Sequence, residues 1–227
     1  MAQTNPTDDA PPAHALLLVA PGCPHCATML DGLGTLVKEG TLARLEVVNI
    51  AAAPSVAAEL SVRSVPWARV GAFDLAGLHT LEELRHWTRL AGEENGMTLY
   101  LADLLATGRR SQVAERVRQD PALLQRLVDL LGDDDTGLSV RIGVMATFEE
   151  LQDSGMLDGL AESLAPLTRH PEPRVRADGC HALALTGSTD AIGWVESCTN
   201  DPDPEVRETA ADALEMLAKA RPARETR

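Results

Sequence analysis

Ala15-Leu16-Leu17-Leu18-Val19-Ala20-Pro21-Gly22-Cys23-Pro24-His25-Cys26 is the stretch on which the fold turns. Its first six residues form an unbroken apolar run of strand length, and the Pro21-Gly22 pair ends it. From Cys26 the apolar positions change period: Met29, Leu30, Leu33 and Val37 follow at helical spacing. The stretch therefore reads as strand, tight turn, helix, with two cysteines at the opening of the helix. Gly40 closes that helix, Leu45–Ile50 makes a second strand, and Pro54 opens a short helix through Leu60 as a first-turn proline. Next come Val65-Pro66, an extended Trp67 to Val70, Gly71 and a brief apolar Ala72-Phe73, which suit a hairpin. Thr80-Leu81-Glu82-Glu83 has the spacing of a capping box and predicts a last helix to about Leu90. Residues 14–91 thus form an α/β domain. Residues 1–13, rich in Pro, Asp, Thr and Ala, read as a flexible tail, and the segment 92–96, with two glycines and no periodicity, reads as a linker.

Two cysteines at the start of a helix carry a specific chemistry. The unpaired N–H groups and the positive end of the helix dipole stabilise a thiolate on Cys23, and Cys26, one turn further in, is close enough to close a disulfide. Attack by the first sulfur and resolution by the second is the expected division of labour. With His25 between them the pair could also supply half of a zinc site, but no second pair has matching spacing. Cys180 and Cys198 lie among helical patterns and read as buried small hydrophobes. No metal and no cofactor are expected. His25 is read as acting through its charge rather than as a general base, and His14, His79, His86, His170 and His181 form no ligand spacing.

In Cys23-Pro24-His25-Cys26 and Val65-Pro66, 43 residues after Cys23, residues 14–91 resemble the thioredoxin and glutaredoxin superfamily. The resemblance implies a thioredoxin-like α/β fold and a thiol-disulfide oxidoreductase with Cys23 as attacking and Cys26 as resolving thiol. It also implies a cis Pro66 facing the cysteines and shaping a substrate groove, with the Val65 backbone pairing with an extended substrate segment. The Pro24-His25 dipeptide is that of strongly oxidising members. Two departures bear on mechanism: Gly22 stands where thioredoxins usually have Trp, and Ala15 to Ala20 offers no buried acid, so no proton acceptor for Cys26 is identified. Trp67 either flanks the groove or packs at the domain interface.

The rest of the chain repeats itself. Val140-Arg141, Val175-Arg176 and Val206-Arg207 each begin a helical pattern, at intervals of 35 and 31 residues, and His170-Pro171-Glu172-Pro173 and Asp201-Pro202-Asp203-Pro204 precede two of them. Periods of this size mean stacked repeats. Aligned on the Val-Arg pair, Phe148, Leu183 and Leu214 coincide, as do Thr147, Ala182 and Ala213, so large and small residues keep register as layered helices require. Further helical segments are predicted around Leu99–Leu105, Gln112–Val117, Leu123–Leu131 and Leu157–Leu167. This half, residues 97–220 with a tail over 221–227, resembles HEAT-type repeats, and the resemblance implies an all-α scaffold that offers a surface to a protein partner. Arg141, Arg176 and Arg207 are read as rungs of a polar ladder between repeats.

Composition bounds the function. The chain has 227 residues and a formal charge of -14, and its hydrophobic fraction of 44% is ordinary for two globular domains. Aromatic residues are only 3%, so Ala, Leu and Val must fill the cores, which suits closely packed helices. Residues 1–91 carry nine acidic and six basic side chains, and the remainder 25 and 14, so the repeats are the acidic half. Such a surface repels phosphate backbones and disfavours nucleic acid. Ala15–Ala20 is too short for a membrane span and lacks a basic leader, so neither a signal peptide nor lipoprotein cleavage before Cys23 is expected, and the chain reads as cytoplasmic. The leading expectation is an enzyme acting on protein disulfides through a mixed disulfide with its client. The alternative is a redox-switched adaptor or assembly chaperone without catalysis.

Overall fold

The computed structural model describes residues 12–224, with side chains to residue 220; most of the expected tail at 1–13 and the last three residues of the one expected at 221–227 lie outside the described residues, whereas 221–224 continue the last helix instead of forming a tail. Two compact units divide between Met97 and Thr98. Residues 92–95, in the predicted linker, form turns and a bend.

The first unit is α/β. Strands β1 (Ala13–Val19), β2 (Leu42–Asn49), β3 (Trp67–Val70) and β4 (Phe73–Ala76) form one mixed sheet in the order β2-β1-β3-β4. β1 runs parallel to β2 and antiparallel to β3, and β3 antiparallel to β4. The central place of β1 explains its composition: apolar layers on both faces call for a continuous run rather than alternation, and Ala15, Leu17 and Leu18 are all buried. β2 lies at an edge and carries the exposed pair Arg44–Glu46, a charge pattern that discourages edge-to-edge association. Helix α1 (Cys26–Glu39) buries Cys26, Met29, Leu33 and Leu36 along one face. It ends at Gly40, whose φ of 79° allows its N–H to reach Val37 and the Thr41 N–H to reach Leu36. Helices α2 (Pro54–Glu59) and α3 (Leu81–Leu90) complete the unit. The capping box forms: the Glu83 N–H donates to Thr80 Oγ1 at 3.2 Å and the Thr80 N–H to Glu83 Oε2 at 2.7 Å.

The second unit is entirely helical: α4 (Gly96–Ala106), whose first residues precede the division, then α5 (Arg110–Gln119), α6 (Leu123–Gly132), α7 (Leu138–Leu151), α8 (Ala161–Leu164), α9 (Pro173–Thr186), α10 (Ala191–Cys198) and α11 (Pro204–Arg224). The helix expected over Leu157–Leu167 is broken. α8 has four residues and gives way to a 3-10 segment, Ala165–Arg169. Pro166 is the physical cause, since it has no N–H to give to the carbonyl four residues back and its ring crowds that carbonyl. The internal register holds: α9 packs against both α7 and α11, and the small aligned residues Thr147, Ala182 and Ala213 are all buried. Gly179 shows how tight the layers are, because a Cβ there would lie 2.7 Å from Leu167 Cβ.

Candidate functional site

The two-cysteine motif is built by successive turns. Ala20-Pro21-Gly22-Cys23 is closed by the Cys23 N–H donating to the Ala20 carbonyl at 3.3 Å, with Gly22 at φ 78°. Proline second and a positive-φ glycine third are what a type II turn requires. The Cys26 N–H then reaches the Cys23 carbonyl at 3.4 Å, and the Met29 N–H the His25 carbonyl at 3.2 Å, which starts α1. His25 occupies the N-cap position but gives no side-chain cap. Pro24 and His25 are exposed, Cys23 is half-buried and Cys26 is buried on the core face of α1. The two sulfurs form a disulfide, with Cα atoms 5.5 Å apart.

Pairing of β1 with β3 brings the second element to the same end of the sheet. Leu18 is opposite Trp67, so Pro66, the residue before Trp67, lies at the β1 end from which the motif emerges. The Val65-Pro66 peptide bond is cis. The Pro66 carbonyl accepts the Gly77 N–H at 2.9 Å, whereas the half-buried Val65 has no backbone hydrogen bond among the described residues. Trp67 departs from expectation. It is 7% exposed and packs with Leu18 and Ala57 in a cluster bordered by Val56 and Leu60 of the α2 region. Arg69 covers its ring at 5.1 Å. An indole at that strand position faces the layer filled by α2, so it is a core element of the first unit rather than a groove wall.

The repeats hold a second sulfur pair that sequence spacing concealed. Cys180 on α9 and Cys198 at the end of α10 are both buried, and each thiol shifts the ionisation of the other. Cys198 also donates to the Thr168 carbonyl at 3.5 Å. The neighbouring Cys180 thiol pulls the Cys198 thiol down to about 7 against the opposing effect of burial. The Cys198 thiol, together with burial, pushes Cys180 up. Reactivity needs access as well as ionisation, and at 0% and 2% exposure access decides. In the folded, reduced chain a water-soluble thiol reagent is expected to label Cys23 while sparing Cys180 and Cys198 until the protein is denatured. Mass spectrometry of labelled peptides checks this, and rapid native labelling of either repeat cysteine would show that the layer between α9 and α10 opens.

The three repeat arginines share a second task. Each reaches back to carbonyls just before its own helix: Arg141 to Leu131 at 3.1 Å, Arg176 to His170 and Pro171, and Arg207 to Asp201 and Pro202. Two also bridge to the next repeat, Arg141 with Asp178 at 2.5 Å and Arg176 with Asp201 at 2.7 Å through both fork nitrogens. Carbonyls at helix ends lack intrahelical donors, and the guanidinium supplies several at once.

Residues 161–224 match the family model for HEAT repeats. No curated protein matches the chain. A HEAT array suggests a scaffold for protein–protein interaction. Among the described residues, no helix is long and apolar enough to cross a membrane, and no group of three or more His, Cys, Asp or Glu is placed to hold a metal ion.

Proposed function

We propose that the chain is a dithiol-disulfide oxidoreductase whose first unit works as a thioredoxin-like domain and whose helical array holds the protein client. The observation that carries the reading is the pairing of unequal cysteines with a cis proline at one end of the sheet: Cys23 half-buried, Cys26 buried, and Val65-Pro66 at the end of β1 from which they emerge. In the reduced enzyme the uncapped end of α1 stabilises negative charge on Cys23. The Cys23 thiolate attacks one sulfur of a client disulfide, forming a mixed disulfide and releasing the other client sulfur as a thiolate. Cys26, after losing its proton, attacks Cys23, closes the internal disulfide and releases the second client thiolate. Run backwards, the same steps oxidise a client dithiol. The Val65 backbone, with no hydrogen bond among the described residues, suits an extended client segment. A cytoplasmic location fits the reading in the reducing direction.

Turnover tests this. With excess dithiothreitol as reductant, the full chain is expected to reduce insulin disulfides catalytically, many per molecule of protein, and the Cys23→Ser variant to fall to the uncatalysed rate. One equivalent of thiol exchange per chain without turnover would instead favour the adaptor, in which the pair acts as a switch for the HEAT array.

A further inference from the structure

The surface of the second unit carries a groove of about 310 Å³ between α7 and α9, lined also by Glu205 of α11. On α7, Leu138, Ile142, Met145 and Glu149 line it. These positions follow one another at intervals of four, three and four residues, the seam by which one helix receives another. Leu138 and Ile142 are 73% and 59% exposed, the two most exposed large hydrophobic residues described. Exposed aliphatics at this spacing beside a groove mark a docking face.

Charge selects the occupant. The groove has two guanidinium groups, and both are engaged: Arg141 with Asp178 and the Leu131 carbonyl, and Arg174 with the Asp134 carbonyl. Its carboxylates are not equally engaged. Glu205 has no ion pair among the described residues, and Glu149 has only the His181 ring, at 4.0 Å, as an ion-pair neighbour among them. Burial raises the Asp178 carboxyl, and Glu205 adds to that effect although Arg141 and His181 oppose it. A second copy would bring the same acidic face to a chain of net charge -14, which opposes self-association.

We propose that the α7–α9 groove binds a basic amphipathic helix of a partner protein, which seats aliphatic side chains against Leu138 and Ile142 and places Lys or Arg beside Glu149 and Glu205. The inference rests on the scaffold part of the proposed function and is independent of its redox part.

The test uses the full chain and a fluorescein-labelled synthetic helix of Leu, Ala and Lys, with Leu at alternating three- and four-residue intervals, beside a twin carrying Glu for Lys. Fluorescence anisotropy should show the Lys helix binding at least about tenfold more tightly than the Glu twin. Ile142→Asp, Leu138→Asp and the pair Glu149→Lys/Glu205→Lys should each weaken binding about tenfold or more. The control pair Glu162→Lys/Glu196→Lys, equal in charge change and exposed elsewhere, should not. Helical ellipticity verifies folding of each variant. Equal binding of both helices, no binding of the Lys helix, or equal weakening by the control pair overturns the proposal. So does sedimentation that shows a dimer of the wild-type chain dispersed by Ile142→Asp, since the occupant would then be a second copy. Insulin reduction measured on the same variants separates the two readings: lost helix binding with intact turnover overturns only the groove, and absent turnover with intact binding overturns only the redox assignment.

Discussion

Replacing Cys26 by Ser is expected to convert the chain from a catalyst into a trap. Cys23 keeps its turn geometry, since Gly22 and the Ala20–Cys23 hydrogen bond do not involve the Cys26 sulfur. It can still attack a client disulfide, but no second thiol remains to resolve the mixed disulfide. Acid-quenched extracts of cells expressing the variant should therefore contain client proteins released from it by reductant, while the Cys23→Ser and double variants retain none. Multiple turnover should fall to background in all three. An equal yield of trapped proteins with either single variant would remove the assignment of Cys23 as attacker, and a trap that catches nothing would favour the adaptor. Buried Cys180 and Cys198 should contribute nothing to the trapped set, and Cys180→Ala in the same background checks that.

The largest expected loss of stability follows from Arg176→Ala. Its fork makes two 2.7 Å bonds to Asp201 and two more to the His170 and Pro171 carbonyls, and the side chains of the pair are only 12% and 8% exposed. Removing one partner strands a poorly hydrated carboxylate and takes a donor from two carbonyls, which costs about 3 kcal/mol, near the low end for buried pairs because both residues keep partial exposure. Arg176→Lys keeps the charge but not the planar fork and should fall between. Urea denaturation followed by helical ellipticity measures the difference.

The pH dependence has a definite sign. The Arg176 hydrogen bonds hold the Asp201 carboxyl below its ordinary range. A depressed carboxylate contributes stability above its unfolded value of about 3.9, and that contribution is lost as pH falls through the folded value. The gap between wild type and Arg176→Ala should therefore be full near neutrality and shrink below about pH 4. A gap that stays constant into acid would mean that the arginine acts through packing alone.

How much of this was legible in the chain depends on how local each determinant is. The Ala15–Ala20 run, the Pro21-Gly22 turn and the Thr80–Glu83 capping box are short-range devices, and all three form the predicted elements. The Val-Arg repeats were legible because each repeat solves the same packing problem with the same residues. Over Leu157–Leu167, apolar content suggested a helix although Pro166 was in plain view, and the missing N–H outweighs periodicity.

Sequence alone determined the order of elements, the placement of Cys23 and Cys26 at a helix opening and the helical array, because these follow from backbone preferences and apolar period within a turn or two. Tertiary structure decided which distant residues meet. It buried Trp67 against Ala57, set Cys180 near Cys198 from two helices, and left Leu138 and Ile142 uncovered beside Glu205. Each of these outcomes depends on which face a neighbouring element covers, and covering a face is a property of packed layers that no single segment carries.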